Sequence, residues 1–227
     1  MKRIIFVFII LMIAIPVAYY YTIESNKKKL PIINPSDLVP DVVDPELRNK
    51  ASGHKIQDFE FVNQNGDLIK SKELEGKIWV VEYFFATCKG ICPIMNKQMQ
   101  RVQSAYSDDN EIKILSFTVD PINDSIEALK KYAESHEAIN GKWHFFTGNK
   151  TKLYGLARQS FFLLKPAEAK NLGDAGGDFI HTNNFVLIDP QKRIRGYYDG
   201  TSTYEVDEMI SHVLQLLDEE SFEEGVY

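Results

Sequence analysis

The sequence predicts an α/β sandwich in which buried strands alternate with helices. Two observations carry this. The runs Ile78 to Phe85 and Ile112 to Val119 are nearly continuous in apolar, β-prone residues, as strands buried on both faces are. Elsewhere apolar residues recur at helical spacing, as in Met95, Met99, Val102 and Tyr106. A third observation narrows the class to a thioredoxin-like sandwich. The chain's only two cysteines, Cys88 and Cys92, directly follow the central strand and precede a helix-like segment that starts near Pro93.

The N-terminus differs in kind from the rest. Lys2 and Arg3 precede an uncharged, mostly apolar run from Ile4 to Ile23. Twenty helical residues span about 30 Å, the thickness of a bilayer's hydrocarbon core. Tyr19, Tyr20 and Tyr21 fall at the far end, where aromatic rings favour the membrane interface. No small-x-small cleavage site follows the run, and no cysteine there could take a lipid. Residues 1–25 are therefore expected to be one transmembrane helix, a retained anchor. Residues 26–52, with Lys27 to Lys29 and then Pro31, Pro35, Pro40 and Pro45, show no period and read as a tether. Residues 53–227 are expected to be the folded domain. Basic residues on the two sides of the run roughly balance, so they do not orient it. A long C-terminal domain is usually carried across, and no Arg- and Ser-rich presequence is present. The expected location is a bacterial inner membrane, spanned once, with the domain facing the periplasm.

The 227 residues, 44% hydrophobic and 26% charged, suit one ordinary domain plus appendages. A net charge of -6 with no basic stripe argues against nucleic-acid binding. The domain is expected to open near Ile56 with an N-terminal hairpin. Phe59 and Phe61 alternate with polar residues, Asn65-Gly66 marks a tight turn, and Leu68 and Ile69 resume the pattern. After the strand from Ile112, Asp124 or Ser125 can cap a helix running to about His136. Trp143 to Thr147 reads as a short strand and Lys152 to Phe162 as a helix. Asn184 to Ile188 and Ile194 to Tyr198 form a hairpin around Asp189-Pro190. An amphipathic helix from Tyr204 to Leu217 closes the chain, its Glu-rich end expected to fray.

Two thiols at a strand-to-helix junction can cycle between dithiol and disulfide or hold a soft metal ion. The first N–H groups of a helix and its dipole favour the thiolate, which is both the nucleophile and the ligand. Pro93 fits a first-turn position, and Gly90 lets the intervening loop bend. Thioredoxin-type oxidoreductases use Cys-x-x-Cys, and this chain has one more residue between the sulfurs, leaving room for an ion. Two thiolates suit Cu(I), Zn(II) or iron–sulfur chemistry, and a third ligand is needed for specificity.

Five histidines compete for that role. His54 lies at the edge of the tether, and His136 ends a helix. His144 sits inside an apolar strand, and His212 is on the last helix. His181 follows the Gly-rich stretch from Gly173 to Asp178 and immediately precedes a strand. A loop bringing one imidazole to a strand edge could close a metal site there; a surface histidine is the other possibility.

The ordered set of motifs resembles the Sco/SenC family. The stretch from Gly76 through Thr87-Cys88-Lys89-Gly90-Ile91-Cys92-Pro93 is similar to that family's cysteine segment. Ser116-Phe117-Thr118-Val119-Asp120-Pro121 with Asp124 resembles its strand ending in Asp-Pro. Trp143-His144-Phe145-Phe146-Thr147-Gly148 resembles its Trp-His-x-x-Thr-Gly segment, and His181-Thr182 before Asn184 to Pro190 resembles its histidine loop. The likeness covers about residues 56 to 217. One departure is Ile180, where the family often has an aspartate before the histidine.

The resemblance implies a copper chaperone for cytochrome c oxidase assembly. It implies that Cys88, Cys92 and His181 bind copper, as Cu(I) in trigonal geometry, with Cu(II) recruiting further oxygen or nitrogen ligands. Asp120 and Asp124 are candidates to support the site from behind or to shape the partner surface; a strand-end turn and a helix cap are their alternative roles. The implied partner is the copper-bearing subunit of the oxidase, whose binuclear centre would receive the ion. The rival expectation is a thiol–disulfide oxidoreductase acting on that subunit's own cysteines, which needs Cys88 and Cys92 but not His181. A thiol peroxidase is disfavoured because no Pro-x-x-x-Thr-x-x-Cys motif is present, and a binding module with a structural disulfide is the non-enzymatic alternative.

Overall fold

A computed structural model describes residues 12–16, 29–163 and 182–224. Residues 12–16 are helical, and the rest of the expected anchor lies outside the described residues. Among the described residues no helix is long and apolar enough to cross a membrane.

The domain is a central sheet with helices on its two faces. β1 (Glu60–Val62) and β2 (Leu68–Lys70) form the expected antiparallel hairpin, with Phe61 opposite Ile69. Its turn is set by Asn63, whose Oδ1 accepts the N–H groups of Asn65 at 2.9 Å and Asp67 at 3.0 Å. Gly66 holds φ +85°, a conformation that side chains disfavour. The sheet is built from β3 (Ile78–Phe84), β4 (Ile112–Thr118), β5 (Trp143–Phe146), β6 (Asn184–Ile188) and β7 (Ile194–Asp199). Its order is β5-β4-β3-β6-β7. β3, β4 and β5 run parallel, while β6 is antiparallel to β3 and β7 to β6. The helices are α1 (Cys92–Ala105), α2 (Ile126–Ser135), α3 (Lys150–Gln159) and α4 (Thr203–Glu224).

All seven residues of β3 are buried, which explains a strand with no polar alternation. Trp79, Val81 and Tyr83 face a core shared with Phe59, Phe117, Phe146 and Phe161. Phe84 faces the other way and stacks on Tyr132 of α2, with ring centroids 5.1 Å apart.

Three expectations need correction, and one open choice is resolved. The stretch from Pro31 to about residue 53 is not a free tether. It belongs to the same compact unit as the domain. Ile33 bridges Ile194, and two short 3-10 turns, Pro35–Asp37 and Pro40–Val42, lay Leu38, Val42, Val43 and Leu47 on the core. The prolines that broke the sequence period also fix the tight turns that deliver these side chains. His54 is likewise a core residue. Its Nε2 lies 2.9 Å from the Ser160 carbonyl oxygen and its ring 4.6 Å from that of Phe162. Of the two candidate caps for α2, Ser125 is the one used, its Oγ accepting the Ala128 N–H at 3.2 Å. The last helix continues through its Glu-rich end to Glu224, and Arg195 holds Glu219 at 2.7 Å.

Candidate functional site

The cysteine loop is built by the end of β3 and the start of α1. β3 leaves the sheet after Phe84, whose carbonyl still accepts the Val119 N–H at 2.8 Å. The Cys88 N–H turns back to the Phe85 carbonyl at 3.1 Å. Cys92 is the first residue of α1 and Pro93 lies in its first turn, so helix N–H groups that lack partners within the helix point at the loop. Both thiols are free; Cys88 is half-buried and Cys92 buried.

The two sulfurs are not equivalent. Partial burial pushes the Cys88 thiol up, but hydrogen bonds from the Cys92 thiol and from the N–H groups of Cys92, Gly90 and Ile91 outweigh it, leaving Cys88 below its ordinary value. Cys92 is pushed up to about 12, first by burial, then by donating to Cys88, with the charge of Glu82 adding to the effect. A thiolate at Cys88 beside a protonated Cys92 is therefore the favoured arrangement.

A cleft of about 390 Å³ opens over the pair, lined by Phe85, Gly90, both cysteines and Thr182. Thr182 is the immediate neighbour of His181, which itself lies outside the described residues. The Thr182 Oγ1 accepts the Asn184 N–H at 3.1 Å and so fixes where β6 begins. Thr182 is thus the first described residue after His181 and lies at the cleft that holds both sulfurs. Among the described residues, no cluster of three or more His, Cys, Asp or Glu side chains could hold a metal ion.

The aspartates have separable roles. Asp124 is buried, and its carboxylate accepts the Ala86 N–H at 3.3 Å and the Thr118 hydroxyl. It thereby braces the loop two residues before Cys88. Burial raises its carboxyl above the usual range, with the Thr118 and Ala86 hydrogen bonds working against that. Asp120 instead organises the turn after β4, its Oδ2 accepting the Asn123 Nδ2 at 2.7 Å. The other histidines serve the fold. The His136 Nδ1 lies 2.8 Å from the Tyr132 carbonyl oxygen, and the His212 Nδ1 2.7 Å from the Tyr198 hydroxyl. His144 is buried in β5.

Sequence reasoning passed over Glu82. It is the single charged residue in the apolar run from Ile78 to Phe85, and that singularity was the available signal. A larger cleft of about 610 Å³ lies between the β1–β2 hairpin and α3; it shares no lining residue with the cysteine cleft.

Comparison with known proteins agrees with this geometry. The SCO1/SenC family model matches residues 48–218. The SCO1 protein homolog of Bacillus subtilis is 32% identical over 162 residues, spanning 70% of this chain and 81% of that protein. A solved structure of BsSco, described as a member of the Sco family of cytochrome c oxidase assembly proteins with a disulfide switch, has a TM-score of 0.61 at 29% identity, covering 72% of this chain and 93% of that one. A SCO1/SenC family lipoprotein from Bacillus anthracis has a TM-score of 0.62 at 26% identity, covering 72% and 95%.

Proposed function

The chain belongs to the SCO1/SenC family, and from that premise we propose that it is a membrane-anchored copper carrier serving cytochrome c oxidase assembly. In this reading copper is cargo. Cys88 and Cys92 supply two soft sulfur ligands, and His181 closes the site as the third. The ion then passes to the binuclear copper centre of the oxidase subunit. The observation that carries the reading is the cleft itself, where both thiols and Thr182, next to His181, share one wall. Two sulfurs and one imidazole suit Cu(I), and Cu(II) needs added oxygen or nitrogen donors. A site made from one short loop and one loop end suits hand-over, because a donor must release its ion by ligand exchange. Asp124 supports the site by tying down Ala86, and Asp120 shapes the neighbouring turn. The apolar run from Ile4 to Ile23 supports a single-pass anchor with the domain facing the periplasm. The likeness to a Bacillus lipoprotein is in keeping with a tethered domain.

The asymmetry of the thiols favours a second activity. A Cys88 thiol held below its ordinary value and a Cys92 thiol held above it match a nucleophile and its resolving partner in thiol–disulfide exchange, acting on the oxidase subunit's cysteines. The two activities use the same pair and separate at His181.

The test is anaerobic Cu(I) loading of the reduced chain followed by dialysis. The native chain should retain stoichiometric copper, and the Cys88→Ser/Cys92→Ser variant none. His181→Ala should weaken retention by about 10-fold or more, the scale on which loss of ligand support acts. Native protein that emerges empty overturns the carrier reading. Reduction of an oxidase-subunit disulfide by metal-free protein, unaffected by His181→Ala, supports the exchange reading.

A further inference from the structure

The chain has two Asn-Gly pairs, and the fold brings them into contact with each other. Asn65-Gly66 tips the β1–β2 hairpin, and Asn140-Gly141 sits in the turn that leads into β5. The Asn65 Nδ2 donates to the Asn140 Oδ1 at 2.7 Å, and all four residues are exposed to water. Gln64 ties the hairpin tip to β5 from the buried side. Its Nε2 donates to the Trp143 carbonyl at 2.8 Å, and its Oε1 accepts the Phe145 N–H at 2.9 Å. An asparagine before glycine is prone to cyclise, because glycine has no Cβ to shield its nitrogen and adopts the needed backbone angles freely. The fold treats the two pairs differently. At Asn65 both reacting groups are committed. The side-chain nitrogen that must leave donates to Asn140, and the Gly66 N–H that must attack donates to the Asn63 carbonyl at 3.0 Å. At Asn140 the hydrogen bond falls on the carbonyl oxygen instead, drawing electrons from the carbon to be attacked. Neither the Asn140 Nδ2 nor the Gly141 N–H has a hydrogen-bond partner among the described residues. The Lys113 ammonium donates to the Gly141 carbonyl at 2.8 Å, so a cation stands beside the anion that forms when the Gly141 nitrogen gives up its proton.

We propose that Asn140 is a site of non-enzymatic modification, converted by water to aspartate and isoaspartate, and that Asn65 is the positioning residue whose hydrogen bond directs the reaction there. Neither copper nor the cysteines take part, so the proposal stands apart from the carrier reading. The co-reactant is water, with hydroxide as base. Hydroxide takes the Gly141 N–H proton, and the nitrogen forms a bond to the Asn140 Cγ. The Cγ–Nδ2 bond breaks, and Nδ2 leaves as ammonia with a proton from water. One water then opens the cyclic imide at either carbonyl. The sum is asparagine and water giving ammonia and aspartate or isoaspartate, with no change of oxidation state. Opening at the main-chain carbonyl gives isoaspartate, which adds one methylene to the backbone. Either product puts a carboxylate beside Lys113. It also alters a turn in which the Ile139 carbonyl accepts the Lys142 N–H at 3.1 Å and the Trp143 N–H at 3.0 Å. The change is therefore delivered to the start of β5, the outermost strand on its side of the sheet.

The test is ageing of the full metal-free chain in detergent and mildly alkaline buffer, with products at both asparagines counted by peptide mapping and isoaspartyl methyltransferase labelling. A guanidinium-unfolded sample aged in parallel gives the ratio that local sequence alone sets. Conversion at Asn140 should exceed conversion at Asn65 in the folded chain. Folding should raise that ratio by about tenfold or more, the scale of the two hydrogen bonds that Asn65 must first break. Asn65→Ala should slow conversion at Asn140 by about fivefold in the folded chain, the scale of one hydrogen bond, and leave the unfolded rate unchanged. Asn65→Asp, whose carboxylate cannot donate, should act in the same direction and serves as the measurement if the alanine variant disturbs the hairpin. Asn140→Gln, whose longer side chain cyclises slowly, should remove the isoaspartate signal from that turn. An Asn140 that stays intact through ageing, equal ratios in the folded and unfolded samples, dominant conversion at Asn65, or unslowed conversion at Asn140 in the Asn65 variants, overturns the proposal.

Discussion

The two ends of the central strand treat buried charge in opposite ways. Where β3 begins, Trp79 pairs with Ile188, and the N-terminal strap, the β6–β7 turn and α4 meet at Arg195. That guanidinium is 3% exposed and contacts Asp189 at 3.1 Å, Glu219 at 2.7 Å and the Pro31 carbonyl at 3.0 Å. Asp189 is matched on both oxygens, taking the N–H groups of Gln191 and Arg193 on Oδ1 and two guanidinium groups on Oδ2. Where β3 ends, the thiols are free, and Glu82 and Asn96 each keep a buried oxygen without a partner among the described residues. Matched polar groups make a joint that fixes one geometry. Unmatched ones sit beside chemistry that must change partners. The fold is rigid at one end and exchangeable at the other.

Arg195→Ala breaks the matched end and should have the largest effect. It takes one of two guanidinium groups from the buried Asp189 and the Arg195 contact from Glu219; removing one partner of a buried ion pair typically costs about 3–5 kcal/mol. Denaturant unfolding should show that loss, while Cu(I) retention by the folded fraction stays native. A variant that loses copper without losing stability would mean that the two ends are not independent.

Much of this was legible in the sequence, and the limits are physical. The strands buried on both faces announced themselves as apolar runs, and the hairpin was marked by Asn65-Gly66. The cysteine junction was visible because strand, thiols and helix start are contiguous. The strap was misread because its apolar residues follow proline-directed turns, not a strand or helix period. The Arg195 clasp was invisible because Pro31, Asp189, Arg195 and Glu219 are far apart in sequence, and no local pattern encodes their meeting. The division of labour between Asp124 and Ser125 depended on an ångström-scale choice that only coordinates resolve.

Val43→Ala sharpens the contrast between a strap and a tether. Val43 is fully buried, and its side chain contributes about 2 kcal/mol by area removed from water. The variant should lower unfolding free energy by about that amount and leave the redox equilibrium of the cysteines unchanged. A tether residue would show no change in stability.

Asp124→Asn probes the seam between the two ends, with the smallest expected effect on stability. The folded protein raises the Asp124 carboxyl above its ordinary value, so the native state binds this proton more tightly than the unfolded chain does. The resulting stabilisation is present in full below the ordinary carboxylate pKa and is lost as pH rises through the folded value. An asparagine does not titrate in that range and keeps an oxygen for the Ala86 N–H. Native protein should therefore lose stability relative to Asp124→Asn as pH rises from about 4, the ordinary carboxylate value, toward neutrality. At neutral pH the net difference should be about 1 kcal/mol, the scale of one hydrogen bond gained or lost. Paired urea titrations across that range read the slope directly. If the two proteins run parallel, Asp124 is already ionised in the fold at no cost, and its hold on Ala86 is that of a fully matched carboxylate like Asp189.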